Sequence, residues 1–336
     1  MTTKLNIVSK KKKGFPLSQN KGWSKNESSV NAKGGSELMM DRLYKELPED
    51  LRDQFQVICS RVRELEDKKR ILWLHDLWND PEAAHLKDQE SRDRFTKLVF
   101  VSNYQFQTYH MALGVPYSES VVIKNAIDPI EHHEKRKDKI NLIYHTTPHR
   151  GLDILYAVYE QLAKNRDDIH LDVYSSFNVY GWPQRDVEFK PLFDKLEAHP
   201  NITYHGAVPN SEVREALKKA HIFAYPCTWV ETSCISAIEA MSAGCAVVCP
   251  NLGALPETTS NFGIMYPFDE DINVHANRFY HILNNTIDHF WQEGHQQKLK
   301  FQKNYTDAFY NWEKRREEWM GLLMGLKEAE EAQNKK

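Results

Sequence analysis

The chain has 336 residues and a formal net charge of −3, with 41% hydrophobic and 27% charged residues; that length exceeds one ordinary core and suits two α/β domains. This balance excludes a protein that is basic throughout, and no apolar run approaches the roughly 20 residues that a membrane helix needs. The opening MTTKLNIVSKKKKGF places a very short apolar stretch before its lysines, so no signal peptide and a cytoplasmic location are expected.

Short β-branched runs alternate with longer periodic stretches, the pattern of a parallel sheet with crossover helices. Residues 5–8 read as the first strand, followed by a lysine- and serine-bearing loop over residues 9–32. Residues 1–33 hold eight lysines against one acid, Glu27, roughly +7, with Phe15 and Trp23 among them. That stretch reads either as a solvated loop or as a surface for a polyanionic acceptor, nucleic acid included. A helix over 36–47 is entered through Lys33, Gly34 and Gly35. Strands are then expected at 56–59, 71–74, 98–101 and 120–123, and helices at 81–94 and 102–113. His75 and Asp76 sit at the end of the second of these strands.

Residues 128–139, DPIEHHEKRKDK, break the alternation. Residues 129–139 are therefore expected to link a domain over 1–128 to another over 140–295, with His132 and His133 exposed. The alternation then restarts. Strands are expected at 140–144, 170–174, 202–204, 222–225 and 246–249, and helices at 152–163, 211–220, 233–243 and 274–290. Residues 296–336 read as one long charged helix with Trp312 and Trp319 on one face. Two doubly wound domains in tandem place ligands beyond the C-terminal ends of their strands.

Five cysteines are present, four of them, Cys227, Cys234, Cys245 and Cys249, within 23 positions. No CxxC or His-x-His pair accompanies them, so they read as small buried hydrophobes rather than metal ligands. No metal site is expected.

The densest chemical signal is residues 226–250, PCTWVETSCISAIEAMSAGCAVVCP. A strand ends at Pro226, a loop carries Glu231, and a helix is expected from Thr232 or Ser233, both good cap residues. Amides at such a start attract a diphosphate. Glu239 follows eight positions on, roughly 12 Å away if the segment is wholly helical. Each carboxylate is an acceptor-only group suited to a sugar or ribose diol. By spacing alone, two such glutamates are ordinary exposed helix charges.

Together with Ala240, Met241, Gly244, Val247 and Val248, this segment resembles the signature of glycosyltransferase family 4, E-x7-E within EAM-x-x-G-x-x-VV. Residues 144–155, YHTTPHRGLDIL, look like that family's first strand–loop–helix of the donor domain. There a basic residue before a glycine contacts the diphosphate, which points to Arg150. Thr146 and Thr147 stand where the family often has a glycine–arginine pair. Residues 205–209, HGAVP, resemble the loop that meets the nucleobase, marking Gly206 and Val208. KGGSE at 33–37 resembles the family's G-G-x-E turn, and His75 stands where similar enzymes place a histidine facing the reacting sugar. IKNAID at 123–128 resembles the run that closes the first domain, and YNWEKRREEW at 310–319 the helix that crosses back onto it.

The resemblance implies the α/β GT-B fold: two Rossmann-like domains facing a cleft, with a C-terminal helix crossing back. It implies transfer of a sugar from a nucleoside diphosphate sugar, of UDP or GDP, to a hydroxyl acceptor with retention of configuration. No metal and no cofactor beyond that co-substrate is implied, and the chain lacks a DxD pair in a loop suited to Mg²⁺. The implied catalytic residues are His75, Arg150 and Glu231. The implied donor set is Gly35, Arg150, Gly206, Val208, Glu231, Thr232, Ser233, Cys234 and Glu239. Lys33, Trp23 and Asp76 fall on the acceptor side. The acceptor is a glycan, a lipid-linked sugar or, given the N-terminal lysines, a hydroxylated DNA base. A sugar-nucleotide epimerase or phosphorylase of the same fold, and a non-catalytic nucleotide-sugar-binding protein, remain as alternatives.

Overall fold

The computed structural model describes residues 35–334. The strand expected at 5–8, the loop at 9–32, and Phe15, Trp23 and Lys33 lie outside the described residues. The chain divides into two units, one of residues 129–308 and one of residues 35–128 with 309–334.

The smaller unit opens with α1 (Gly35–Glu46) and α2 (Glu49–Gln54). Then come β1 (Phe55–Cys59), β2 (Lys69–Leu74), α3 (Gln89–Arg92), β3 (Lys97–Phe100), α4 (Asn103–Leu113) and β4 (Ser120–Val122). The four strands pair in parallel in chain order. The last four residues of β2 are all buried, as befits a parallel strand covered on both faces. Ser102 starts α4 by accepting the Gln105 N–H at 3.0 Å, and Gly114 ends it at φ +71°.

The helix expected over 81–94 does not form as one. Pro81–Lys87 is a 3-10 turn and α3 has four residues. The cause is Arg92, whose buried guanidinium donates to the carbonyls of Leu86 and Lys87 at 2.8 and 2.9 Å. Those carbonyls have found partners outside a continuous helical ladder.

The larger unit alternates β5 (Ile140–Tyr144), α5 (Leu152–Ala163), β6 (Ile169–Val173), α6 (Lys190–Ala198), β7 (Ile202–Tyr204), α7 (Asn210–Lys219) and β8 (Ile222–Ala224). It continues through α8 (Ile235–Ser242), β9 (Ala246–Pro250), α9 (Leu255–Thr259), β10 (Ile264–Tyr266), α10 (Ile272–Asp288) and α11 (Glu293–Phe309). Its six strands run in the order β10-β9-β8-β5-β6-β7, all parallel. The chain winds from β5 out to β7, returns to the other side of β5 as β8, and winds out to β10. The direction reverses between β5 and β8, the switch point beyond whose strand ends doubly wound sheets place their ligands.

Residues 129–139 are bound to this unit along their length. The Ile130 N–H donates to Ser242 Oγ at 2.8 Å; the Lys135 ammonium donates to the Ala220 carbonyl and lies 3.4 Å from Cys245 Sγ. His132 and His133 are exposed. Cys227, Cys234, Cys245 and Cys249 are buried and free. Among the described residues, no group of three or more His, Cys, Asp or Glu is placed to hold a metal ion, and no helix is long and apolar enough to cross a membrane.

The single helix expected from 296 is two. Gln302 donates to the Cys245 carbonyl at 2.7 Å and keeps α11 on the larger unit. The helix stops because the Tyr310 carbonyl accepts from the Ile127 N–H at 2.7 Å instead of from a helical amide. The Asn311 side chain then accepts the Lys314 N–H at 2.8 Å and starts α12 (Trp312–Asn334). Trp319 of α12 meets Trp73 of β2 edge-on, with ring centroids 5.0 Å apart.

Candidate functional site: the crevice at β5 and β8

The loop after β5 lies against the exit of β8. Gly151 has φ +104°, and a Cβ there would stand 2.1 Å from the Pro226 carbonyl oxygen. No side chain fits this position. The approach sets Arg150, one residue earlier, over the β8 loop, where its Nη1 lies 2.5 Å from Glu231 Oε1. The Tyr225 hydroxyl donates to the same oxygen at 2.5 Å. Glu231 is 4% exposed. Its backbone is held from the other side, because the Ala254 N–H donates to its carbonyl at 2.8 Å. A Cβ on Gly253, at φ +60°, would come within 2.7 Å of the Glu231 amide nitrogen and carbonyl oxygen.

Burial works against the charge on Arg150, but Glu231 beside it holds the guanidinium protonated far above its ordinary range. A buried pair of this kind is strongly coupled: removing one partner strands the other charge, at about 3–5 kcal/mol. In the loop that carries Arg150, the buried atoms Thr147 Oγ1, His149 Nδ1 and Arg150 Nε have no hydrogen-bond partner among the described residues. Buried polar groups are ordinarily satisfied, so three orphans in the loop that carries this ion pair mark a place suited to a polar ligand.

The helix expected to start at Thr232 or Ser233 starts at Ile235, with Cys234 as its cap residue. Thr232 and Ser233 sit half-buried in the loop. The Glu231 carbonyl, which would accept from the Ile235 N–H in a longer helix, is taken by Ala254. The condition behind the 12 Å spacing of Glu231 and Glu239, a wholly helical segment, is therefore not met. Cys234, buried, brings no oxygen to the cap.

Glu239, on α8, is 5% exposed. It accepts from Arg214 Nη1 at 3.0 Å and from Asn210 Nδ2 at 3.3 Å, both on α7. Burial pushes its carboxyl above the usual range, and Arg214 and Asn210 pull against that shift. Gly206 follows β7 at φ +66°, and Val208 packs half-buried against the core. Beside them the His205 ring stacks on Tyr174 at 4.1 Å and meets Asp172 Oδ1 at 2.9 Å.

The remaining candidates belong to the smaller unit. Gly35 opens α1. His75 follows β2, its backbone N–H donating to Ser60 Oγ at 3.0 Å. Burial drives its imidazole down to about 3, so it is neutral at pH 7. Burial, with Asp80 nearby, raises the Asp76 carboxyl to about 6.

The structure thus brings Arg150 and Glu231 into one ion pair and seats Glu239 on α8 of the same domain. Sequence reasoning missed Tyr225, Gly253, Asn210 and Arg214. Each acts across 6 to 29 positions of chain, and nothing local announces them.

Residues 124–289 match the family described as "Glycosyl transferases group 1". The chain is 26% identical over 141 residues to a phosphatidylinositol N-acetylglucosaminyltransferase component of Homo sapiens, covering 40% of this chain and 28% of that protein. It is 33% identical over 144 residues to O-antigen chain mannosyltransferase B of Escherichia coli, covering 43% of this chain and 35% of that protein. The chain therefore spans about a third or less of these curated relatives. Among solved structures, Anabaena HepE in complex with UDP-glucose superposes with a TM-score of 0.60 at 15% identity, covering 77% of this chain and 72% of that one. The architecture is that of the GT-B glycosyltransferases, two parallel sheets in two Rossmann-like domains.

Proposed function

We propose that this chain, whose residues 124–289 form a glycosyl transferases group 1 domain, moves a sugar from a nucleoside diphosphate sugar to a hydroxyl acceptor. The observation that carries the reading is the Arg150–Glu231 pair at the exits of β5 and β8, with orphaned buried polar atoms on the loop that carries Arg150. A guanidinium has five donors. Arg150 spends one on Glu231 and has Nε buried without a partner, so it can grip a phosphate while keeping its carboxylate.

In this reading Arg150 and the amides at the start of α8 take up the negative charge that builds on the leaving diphosphate. Glu231 accepts hydrogen bonds from sugar hydroxyls, and Glu239 from the ribose. Gly206 and Val208 line the nucleobase, while Gly35, Thr232, Ser233 and Cys234 bring backbone to the donor. His75, neutral and acting as a hydrogen-bonding group, orients the sugar. The anomeric carbon–phosphate oxygen bond breaks, the acceptor oxygen bonds to the same face, and its proton passes to the departing phosphate oxygen. Configuration is retained and no metal ion is required. Asp76 lies on the acceptor side, with Lys33 and Trp23 from the segment outside the described residues. UDP-glucose in HepE makes UDP-sugars the first donors to test, with GDP-sugars beside them.

The test is release of nucleoside diphosphate from such a panel in the presence of hydroxyl acceptors. Arg150→Ala and Glu231→Ala are each expected to cut turnover by about a hundredfold or more. The double variant removes both buried charges and guards against a simple loss of fold. Full transfer by both single variants would sink the assignment.

A further inference from the structure

Glu239 sits where burial opposes its charge. It is 5% exposed on α8, and burial raises its carboxyl above the usual range. Protonation would turn one of its acceptor oxygens into a donor, a poorer match for a diol. The opposing pull comes from α7. Asn210 and Arg214 are four positions apart and so share one face of that helix. Arg214 Nη1 donates to Oε1 at 3.0 Å, and Asn210 Nδ2 stands 3.3 Å from both oxygens.

The guanidinium is held at its other end too. Its Nη2 donates to the Pro129 carbonyl at 3.4 Å, at the start of the segment that Ile130 ties to Ser242. Fixed on both sides, the planar fork gives the carboxylate one orientation. Other charges near α8 are engaged elsewhere. Lys303 serves the carbonyls of Ile130 and Ser242 together with Asp307, Lys135 serves Ala220 and Cys245, and Arg150 serves Glu231. Of the other elements packed on α8, β8 bears no titratable group, β9 bears the buried Cys249 and α9 bears Glu257. Among the described residues, the cation paired with Glu239 is therefore Arg214.

We infer that Arg214 is a positioning residue for the donor ribose: it keeps the Glu239 carboxylate charged and oriented, leaving Oε2 to accept from the ribose hydroxyls. The inference rests on the ribose role given to Glu239 above. Oε2 has only the long Asn210 contact, which an incoming hydroxyl can replace.

The test is calorimetric titration of the full chain with UDP, GDP and their analogues lacking both ribose hydroxyls. It is run from about pH 8 down to about pH 5. The quantity read is the preference for the ribose form over its analogue; protonation of the diphosphate is common to both and cancels. Arg214→Gln keeps a neutral donor but loses the charge, so Glu239 takes its proton at higher pH. The preference should match wild type near pH 8 and fall about tenfold below it as pH drops toward 6. Arg214→Lys should restore the wild-type profile. In a Glu239→Gln background, Arg214→Gln should change the preference no further, and that double variant leaves no buried charge stranded if Arg214→Gln alone fails to fold.

A preference in Arg214→Gln equal to wild type at every pH overturns the inference. So does an equal loss for ribose form and analogue, or a further loss in the Glu239→Gln background, since Arg214 would then act otherwise than through Glu239. A wild type that binds the diphosphates without preferring the ribose form overturns it by removing the role of Glu239, and leaves the nucleotide-sugar reading standing. A wild type that binds neither UDP nor GDP overturns both.

Discussion

Gly151 and Gly244 both hold positive φ, at +104° and +70°, but what a side chain would meet differs. Nothing lies within 4 Å of a Cβ on Gly244, whereas one on Gly151 would strike the Pro226 carbonyl at 2.1 Å. Gly244→Ala should therefore cost only the left-handed backbone term, about 1–2 kcal/mol by urea unfolding. Gly151→Ala should cost more than that and also lift Arg150 off Glu231. Its donor KM should rise severalfold while that of Gly244→Ala stays near wild type; equal KM values would contradict the role given to the close approach. The arginine before this glycine was legible in the sequence because both belong to one short loop. Arg214 and Asn210 were not, because only the packing of α7 on α8 brings them to Glu239. The false cap at Thr232 shows the same limit, since the Ala254 amide that claims the Glu231 carbonyl lies beyond the next strand.

At the scale of elements, nine expected strands appear within one or two residues of their predicted bounds, because buried β-branched pairs such as Val247 and Val248 in β9 suit a covered strand. β10, only Ile264–Tyr266, is too short to show a period. Residues 81–94 and the C-terminal tail failed for a shared reason: carbonyls were diverted to Arg92 and to the Ile127 amide, partners that periodicity does not register. The tail's break predicts a graded response. Asn311→Ala removes one cap and should cost about 1 kcal/mol. Trp319→Ala empties the place against Trp73, where Trp319 is 1% exposed, and should cost about 3–5 kcal/mol. Equal values in urea unfolding would refute the account of α12 as anchored by its tryptophan.

For the whole molecule, several histidines are folded as neutral rings. Burial pushes His75 and His145 down to about 3 and His221 to about 4, and lowers His275 as well. Between about pH 6.5 and 4 the unfolded chain binds protons that the folded chain refuses, so stability falls as pH falls through that window. Asp76 acts in the opposite sense: raised to about 6 in the fold, it costs stability as pH rises from its ordinary value toward 6. The histidines outnumber it, and the urea midpoint should drop steadily from pH 7 to 4.5. His221 Nδ1 accepts from the Asn141 N–H at 2.9 Å, and Nε2 stands 2.8 Å from the Arg136 carbonyl as donor. A glutamine can make both bonds without taking a proton. His221→Gln should therefore flatten the profile by up to about 3 kcal/mol; a slope identical to wild type would exclude His221 as a source.

Among the described residues the backbone passes between the two units twice, after Asp128 and again after Ala308. Ile127 and Tyr310, one on each passage, are hydrogen-bonded at 2.7 Å. A protease that nicks the exposed residues 131–134 therefore severs one of two tethers. The nicked protein should elute from a sizing column as a single species and separate into two fragments only in detergent, so an intact elution profile would conceal a broken chain.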